Sequence, residues 1–336
     1  MKTRTAILAI VAAFAWSGAA FAQDLGPRVQ KLADGVYVHT GKGFDSNSGI
    51  ILTQEGVVVI DTGQNPIESR DIMDTVKKLT SMPVRLVINT EPHGDHTTGH
   101  YVFSPPALVV AAAGGGESMR GAERAAPDRI QRLAATAPEM KTALEGYRFI
   151  PPHIEYHDTM TINLGGKTLE LMYLPRVHSE SDTAVWLPAE RVVFSASAFV
   201  NNQINILRPF VTIPDILAAG RKLKALNPQH VVPGHGTPGG REYLDAQIRF
   251  LTELYVAVEK EIQAGKTLDQ IVTMKNGQPV ATTVRLSDAS MERYVYHGEG
   301  LQPWQIARFP NQVMVTYKEI KAGRPYGEIF GREPML

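Results

Sequence analysis

The spacing of apolar and polar positions changes several times along the chain, and each change predicts a different element. Gly35–Gly41 (GVYVHTG) and Gly49–Gly63 (GIILTQEGVVVIDTG) carry short β-branched and aromatic runs broken by turn residues, the pattern of strands. Asn65–Thr80 (NPIESRDIMDTVKKLT) predicts a helix, with Asn65 as its cap and Pro66 at its first position. Val84–Asn89 (VRLVIN) is an apolar run that predicts a strand buried on both faces. Pro105–Gly116 predicts a strand and a glycine-rich turn. Glu117–Tyr147 predicts helix, interrupted at Pro127 and Pro138. A second strand run follows at Thr159–Leu164, Thr168–Pro175, Thr183–Pro188 and Arg191–Ala196. Pro214–Leu226 predicts a helix, and Gln229–Gly236 (QHVVPGHG) a short strand ending in a turn. Beyond Gly240 the character changes: Arg241–Gly265 has apolar residues at helical spacing and stops at a glycine, and TLDQIV adds a further helical turn.

The first residues form a separate unit. Lys2 and Arg4 precede a short apolar run, Ala6–Trp16, and Ala20-Phe21-Ala22 is a small-x-small cleavage pattern. Residues 1–22 are therefore expected to be a secretory signal peptide, cleaved after Ala22, with a periplasmic or secreted product. The apolar run is too short to span a bilayer, so no membrane anchor is expected. Losing Lys2 and Arg4 leaves two fewer basic residues than the 34 acidic ones, which argues against a nucleic-acid partner. The chain has no cysteine, which removes disulfides, lipid anchoring and thiolate metal ligands together. Domain organisation is expected as 23–240 for an α/β core and 241–336 for a C-terminal helical extension packed on or beside it. Oligomeric state leaves no trace in the sequence.

The chemistry gathers where strands end. After Val84–Asn89 come Glu91, His93, Asp95 and His96; after Thr168–Pro175 comes His178; after Val231–Val232 comes His235. Loops at strand ends can converge on a rigid sheet, and imidazole and carboxylate are ligand types that zinc accepts at about 2.0–2.2 Å. These six groups suffice for two metals with three protein ligands each, leaving open positions for water. GGG at Gly114–Gly116 lacks the strand–GxGxxG–helix frame of a nucleotide site. No Gly-x-Ser-x-Gly elbow offers a serine nucleophile.

These motifs resemble the metallo-β-lactamase superfamily of binuclear zinc hydrolases, over about Val29 to Gly240. The matching residues are VVVIDTG with Asp61, EPHGDH, RVHSESD with His178, and PGHG with His235. The resemblance implies an α/β fold, a four-layer αββα sandwich with the metals at one edge. It also implies that Asp61 is an outer partner of the metal loop, and that Glu91, His93 and His178 hold the first metal and Asp95, His96 and His235 the second. Two positions depart from the common pattern. Ser197 stands where many members place a bridging aspartate, which is similar to the third subclass of metallo-β-lactamases. Glu91 stands where most members have histidine. A carboxylate is an acceptable zinc ligand, yet it adds negative charge and completes a two-histidine, one-carboxylate set that can also hold iron.

The implied chemistry is hydrolysis of a small molecule: a water held by the metals loses a proton near neutral pH and attacks a carbonyl, with Asp95 orienting it and shuttling protons. A β-lactam amide is the first expectation, with Arg208 a candidate anchor for the carboxylate of the drug. The alternative is a periplasmic hydrolase of lactones, thioesters or other esters, since exported relatives linked to quinoprotein pathways have similar lengths. More remote readings are a non-haem iron oxygenase and a non-catalytic metal-binding protein. His100 is expected to be structural, as are His39, His153, His157, His230 and His297. Tyr156 and Asn201 are possible cleft residues, and Trp304 is expected to pack on the core.

Overall fold

The computed structural model describes residues 24–42, 46–124, 126–136, 138–200, 207–208, 211–291 and 303–323. The expected signal peptide, Asn201, His297 and the side chain of Trp304 lie outside the described residues. Two sheets organise the chain. The first runs in the order β1 (Val29–Ala33), β2 (Val36–His39), β3 (Ser48–Thr53), β4 (Gly56–Ile60), β5 (Val84–Ile88), β6 (Leu108–Ala112) and β7 (Ile154–Tyr156). It is antiparallel through β4 and parallel from β4 to β7. The second holds β8 (Thr159–Leu164), β9 (Lys167–Leu174), β10 (Asp182–Leu187), β11 (Val192–Phe194) and β12 (His230–Val232), in the order β12-β11-β10-β9-β8. Its pairs are antiparallel except β11 with β12.

The alternation of side chains along a strand explains the layers. In β4, Val58 and Ile60 join Ile51, Ile88, Leu171, Val185 and Phe194 in the core between the sheets. Val57 and Val59 point the other way, onto Ile72 and Val76 of helix α1 (Pro66–Leu79). Asn65 caps α1 by accepting from Ile67 N and Glu68 N, each at 3.0 Å. The outer face of the second sheet packs through Trp186, Val193 and Val231 against helices α7 (Ile213–Ala225) and α8 (Glu242–Gln263). The result is the four-layer αββα sandwich. β5 departs from its expected burial at two positions: Leu86 is half-buried, and Arg85 is exposed with its Nε donating to Glu55 O at 3.1 Å.

Along the chain between β5 and β7 come α2 (Gly94–Thr97), α3 (His100–Phe103), α4 (Gly115–Arg124), α5 (Ala126–Thr136) and α6 (Pro138–Ala143), with α3 and α6 against α1. Gly115 and Gly116 open α4, so only the start of the GGG segment is turn. The C-terminal part adds α9 (Leu268–Ile271), a hairpin of β13 (Val272–Lys275) and β14 (Gln278–Thr282), α10 (Asp288–Met291) and α11 (Pro303–Ala322). The hairpin turns at Asn276 and Gly277, with φ of 52° and 76°, the left-handed geometry that Asn-Gly supports. Leu244, Phe250, Leu251, Leu254 and Val258 of α8 enter the same core as Val313 of α11 and the second sheet. Full burial of one such side chain contributes about 1.5–3 kcal/mol, which fastens the extension to the sandwich.

Candidate metal centre

The segments that follow β4, β5, β9, β11 and β12 meet at one edge of the sandwich. Asp61 follows β4 in a left-handed conformation, φ 54°, which aspartate tolerates better than most residues. Its carboxylate is buried and accepts from Thr90 N at 2.8 Å and Thr90 Oγ1 at 2.6 Å. Asp61 Oδ2 also lies 2.8 Å from His96 Nδ1. That contact assigns the ring proton to Nδ1 and leaves Nε2 to face the cleft, the usual work of an outer partner on a ligating histidine.

Asp95 and His96 ride on α2, whose single turn is pinned from outside. Thr62 donates to His96 O through both its N–H and its hydroxyl, each at 3.0 Å, and Ser46 Oγ donates to Asp95 O at 2.7 Å. Gly99 closes this turn because a Cβ there would lie 2.0 Å from Ser69 Oγ and 2.2 Å from Thr62 O. Behind His178, Asp182 accepts from His178 N at 2.6 Å, from Ser179 N at 2.8 Å and from Ser179 Oγ. The PGHG turn is held by Asn47, whose Nδ2 donates to Pro233 O at 2.9 Å and Gly236 O at 2.7 Å. Sequence reasoning did not single out Asn47 or Asp182. Asp182 lies within the RVHSESD motif, whereas Asn47 acts across 186 positions and has no local signal.

The six expected ligand residues fall into two groups. Glu91, His93 and His178 form one and Asp95, His96 and His235 the other, each with ligand atoms within 4.8 Å of one another. In the second group, His235 Nε2 lies 3.0 Å and His96 Nε2 3.5 Å from Asp95 Oδ2. In the first, His93 Nδ1 lies 2.7 Å and His178 Nε2 3.5 Å from Glu91 Oε1. Zinc–ligand bonds of about 2.0–2.1 Å in tetrahedral geometry put neighbouring ligand atoms about 3.4 Å apart. Most of these separations match that spacing, and the donors are all nitrogen and oxygen, so both groups could hold a divalent metal.

The electrostatics lean the same way. Burial alone would raise the Glu91 carboxyl, but His96, His178 and the contact with His93 hold it well below the usual range. Burial likewise opposes the charge on Asp95, and His96 and His235 overcome it, so its pKa is lowered. His96 is fully buried, which disfavours its charge, yet Glu91, Asp61 and Asp95 push it up to about 10. His178 goes down to about 3 through burial, with further lowering from His93, Arg208 and His235 against the raising effect of Glu91. Burial, then the charge of Glu91, raises Asp182 to about 6. Such a concentration of buried carboxylates calls for cations; a metal would replace the extra proton on His96, which couples uptake to proton release.

Ser197 sits on the 3₁₀ turn Ala196–Ala198 after β11. Its N–H donates to Glu91 Oε2 at 2.9 Å, and its Oγ lies 3.3 Å from His96 Nε2. Gly234 lets the PGHG turn press against it, since a Cβ there would lie 2.4 Å from Ser197 Oγ. Among the described residues, the other histidines stay out of both groups. His100 is buried with Nδ1 3.1 Å from Ile150 O, and His39 is buried 3.5 Å from Glu68. Burial lowers each of them to about 4. Tyr156 is not a cleft residue: it is buried between the sheets and its hydroxyl donates to Thr183 Oγ1 at 2.9 Å.

The model of the metallo-beta-lactamase superfamily matches residues 41–235. The chain is 21% identical over 264 residues to the linear primary-alkylsulfatase of Pseudomonas sp. (strain ATCC 19151), covering 66% of this chain and 48% of that protein. It is 25% identical over 230 residues to the metallo-beta-lactamase type 2 of Bacteroides fragilis, covering 65% and 82%. The solved sec-alkylsulfatase Pisa1 from Pseudomonas sp. matches with a TM-score of 0.63 at 17% identity, over 92% of this chain and 52% of that one. The chain thus spans about half the length of the alkylsulfatases it matches, and this likeness is one of fold.

Proposed function

Because the chain belongs to the metallo-β-lactamase superfamily, we propose that it is an exported hydrolase with two divalent metals, zinc first among them, acting on a small molecule. Glu91, His93 and His178 would hold one metal and Asp95, His96 and His235 the other. The observation that carries this reading is the convergence, at one edge of the sandwich, of two three-residue donor groups at ligand spacing. When bound, zinc polarises a carbonyl oxygen and acidifies a coordinated water to near neutrality.

The chain supplies the rest. Asp61 fixes the His96 tautomer, and the ion-paired environment of Asp95 keeps it a carboxylate that can orient water and pass a proton. Ser197 is not the nucleophile in this reading: its hydroxyl is buried against His96 and Gly234. Arg208 follows buried Leu207, and its charge acts on His178 and on Arg308 of α11. The guanidinium of Arg208, whose charge reaches His178 of the first donor group, suits a substrate that carries an anionic group.

The β-lactam amide is the substrate we place first, because its carboxylate would meet Arg208 while its carbonyl reaches the donor edge. A second reading, cleavage of an alkyl sulfate ester, is favoured by the fold likeness to an alkylsulfatase, which covers 92% of the chain and so includes most of the C-terminal extension. Lactones and thioesters complete the panel. No helix among the described residues is long and apolar enough to cross a membrane. The proposal of export rests on residues 1–22, and amino-terminal sequencing of the exported protein should begin at Gln23.

The test pairs elemental mass spectrometry of the purified mature protein with turnover of a chromogenic cephalosporin, an aromatic lactone, a thioester and dodecyl sulfate. About two zincs per chain with cephalosporin turnover supports the first substrate. Two zincs with turnover of dodecyl sulfate alone transfers the proposal to sulfate esters. A single metal equivalent, or iron, overturns the two-zinc reading.

A further inference from the structure

Glu91 has its two carboxylate oxygens in different roles. Oε2 accepts the N–H of Ser197 at 2.9 Å, which fixes the plane of the group. Oε1 is turned to the imidazoles of both donor groups: 2.7 Å from His93 Nδ1 and 3.5 Å from His178 Nε2 in the first, 3.3 Å from His96 Nε2 in the second. Neighbouring ligand atoms on one tetrahedral zinc are about 3.4 Å apart. Glu91 Oε1 therefore stands at ligand spacing from donors of both groups at once.

From this placement we infer that Glu91 bridges the two metals through Oε1, in addition to completing the first donor group. The inference rests on the two-metal reading and goes beyond it by giving one side chain to both ions. A carboxylate oxygen has two lone pairs to share, whereas an imidazole nitrogen has one, so the glutamate at this position can do what a histidine there could not. Ser197, which contacts both Glu91 and His96, offers only a neutral hydroxyl. Its contribution is to aim Glu91 through its N–H. Burial adds a reason: Glu91 is 1% exposed, and its charge acts unfavourably on Asp95 and Asp182. Two cations on one of its oxygens offset that repulsion more fully than one.

The test uses zinc alone and does not depend on turnover. Zinc is titrated into the metal-free mature protein, Glu91→His, Glu91→Gln and, as a control, His178→Ala, against a competing chelator, with circular dichroism to confirm folding. The wild type should take up two equivalents. Glu91→His restores an imidazole to the first group but cannot bridge, so the bridge predicts roughly 10-fold or greater weakening at the second group. His178→Ala should weaken the first group alone. A crystal structure of the zinc-loaded wild type, with anomalous data at the zinc edge, should place Oε1 within bonding distance of both ions. Oε1 bonded to one ion, or an unchanged second affinity in Glu91→His, overturns the bridge and leaves the two-metal reading standing. Fewer than two equivalents in the wild type sinks the two-metal reading, and the bridge with it.

Discussion

Two buried glutamates in this chain have opposite electrostatic fates. Glu91, at the metal edge, and Glu319, on α11, are 1% and 5% exposed. Burial raises the pKa of both. Glu91 is nonetheless held well below the usual range, because His96, His178 and His93 surround it. Glu319 goes up to about 7, because its compensation is only the N–H of Ile213 at 3.2 Å, and Asp215 adds to the rise. Depth of burial does not separate a functional carboxylate from a packed one; the neighbours do.

The largest test of this contrast is His93→Ala. It removes a candidate donor of the first group, 2.7 Å from Glu91 Oε1. Metal-based charge stabilisation is worth several kcal/mol, so kcat/KM on whichever substrate is turned over should fall by roughly 10³-fold or more. Turnover within 10-fold of wild type would remove the first donor group from the chemistry.

Next in size is Glu319→Gln. The folded pKa of Glu319, about 7, lies above its ordinary value of 4.5, so the unfolded chain ionises first. Its contribution to stability is complete below about pH 4.5 and is lost as pH rises through 7, up to about 3 kcal/mol. The glutamine variant should therefore unfold at higher denaturant concentration than wild type at pH 8 and lose that advantage at pH 5. For Glu91 the sign is reversed: its lowered pKa adds stability above the ordinary carboxylate range that is lost as pH falls. A Glu319→Gln gain of the same size at both pH values would mean that packing, not ionisation, sets the difference.

Asp61→Ala sharpens the comparison from the other side. It frees His96, a main partner of Glu91, and should weaken metal binding roughly 10- to 100-fold, chiefly at the second group. Equal weakening at both groups would show that Asp61 supports the whole loop. The smallest effect is expected from Gly277→Ala. The positive φ of 76° at the hairpin turn disfavours a side chain, at a cost of about 1 kcal/mol in unfolding free energy. A separate early transition in that variant would show that the extension holding Glu319 unfolds independently of the sandwich that holds Glu91.

Much of the fold was legible because its signals are local. Asn65 and Pro66 marked the start of α1, and the turn residues around VVV marked β4 as a strand. The hairpin after α9 was passed over although Asn276-Gly277 was its signal. β1 and β7 were not singled out either: β1 is largely exposed at its centre and β7 has three residues, so neither shows a clear period. Tyr156 read as a cleft candidate because an aromatic in a loop-flanked position carries no sign of which way it faces; the pairing of β6 with β7 turned it inward.

At the site, the sequence by itself determined which residues could ligate and which loops bear them, because a strand followed by a His/Asp/Glu loop is written in consecutive residues. The family resemblance set His100 apart from the six candidate donors, and His100 is in neither donor group. The tertiary structure decided how the donors are aimed. The bond from Ser197 N–H to Glu91 spans 106 positions, and the clamp of Asn47 on the PGHG turn spans 186. No local pattern encodes such a contact: the direction of a lone pair depends on where two sheets and their loops meet, and that is fixed only when the cores on both sides have packed.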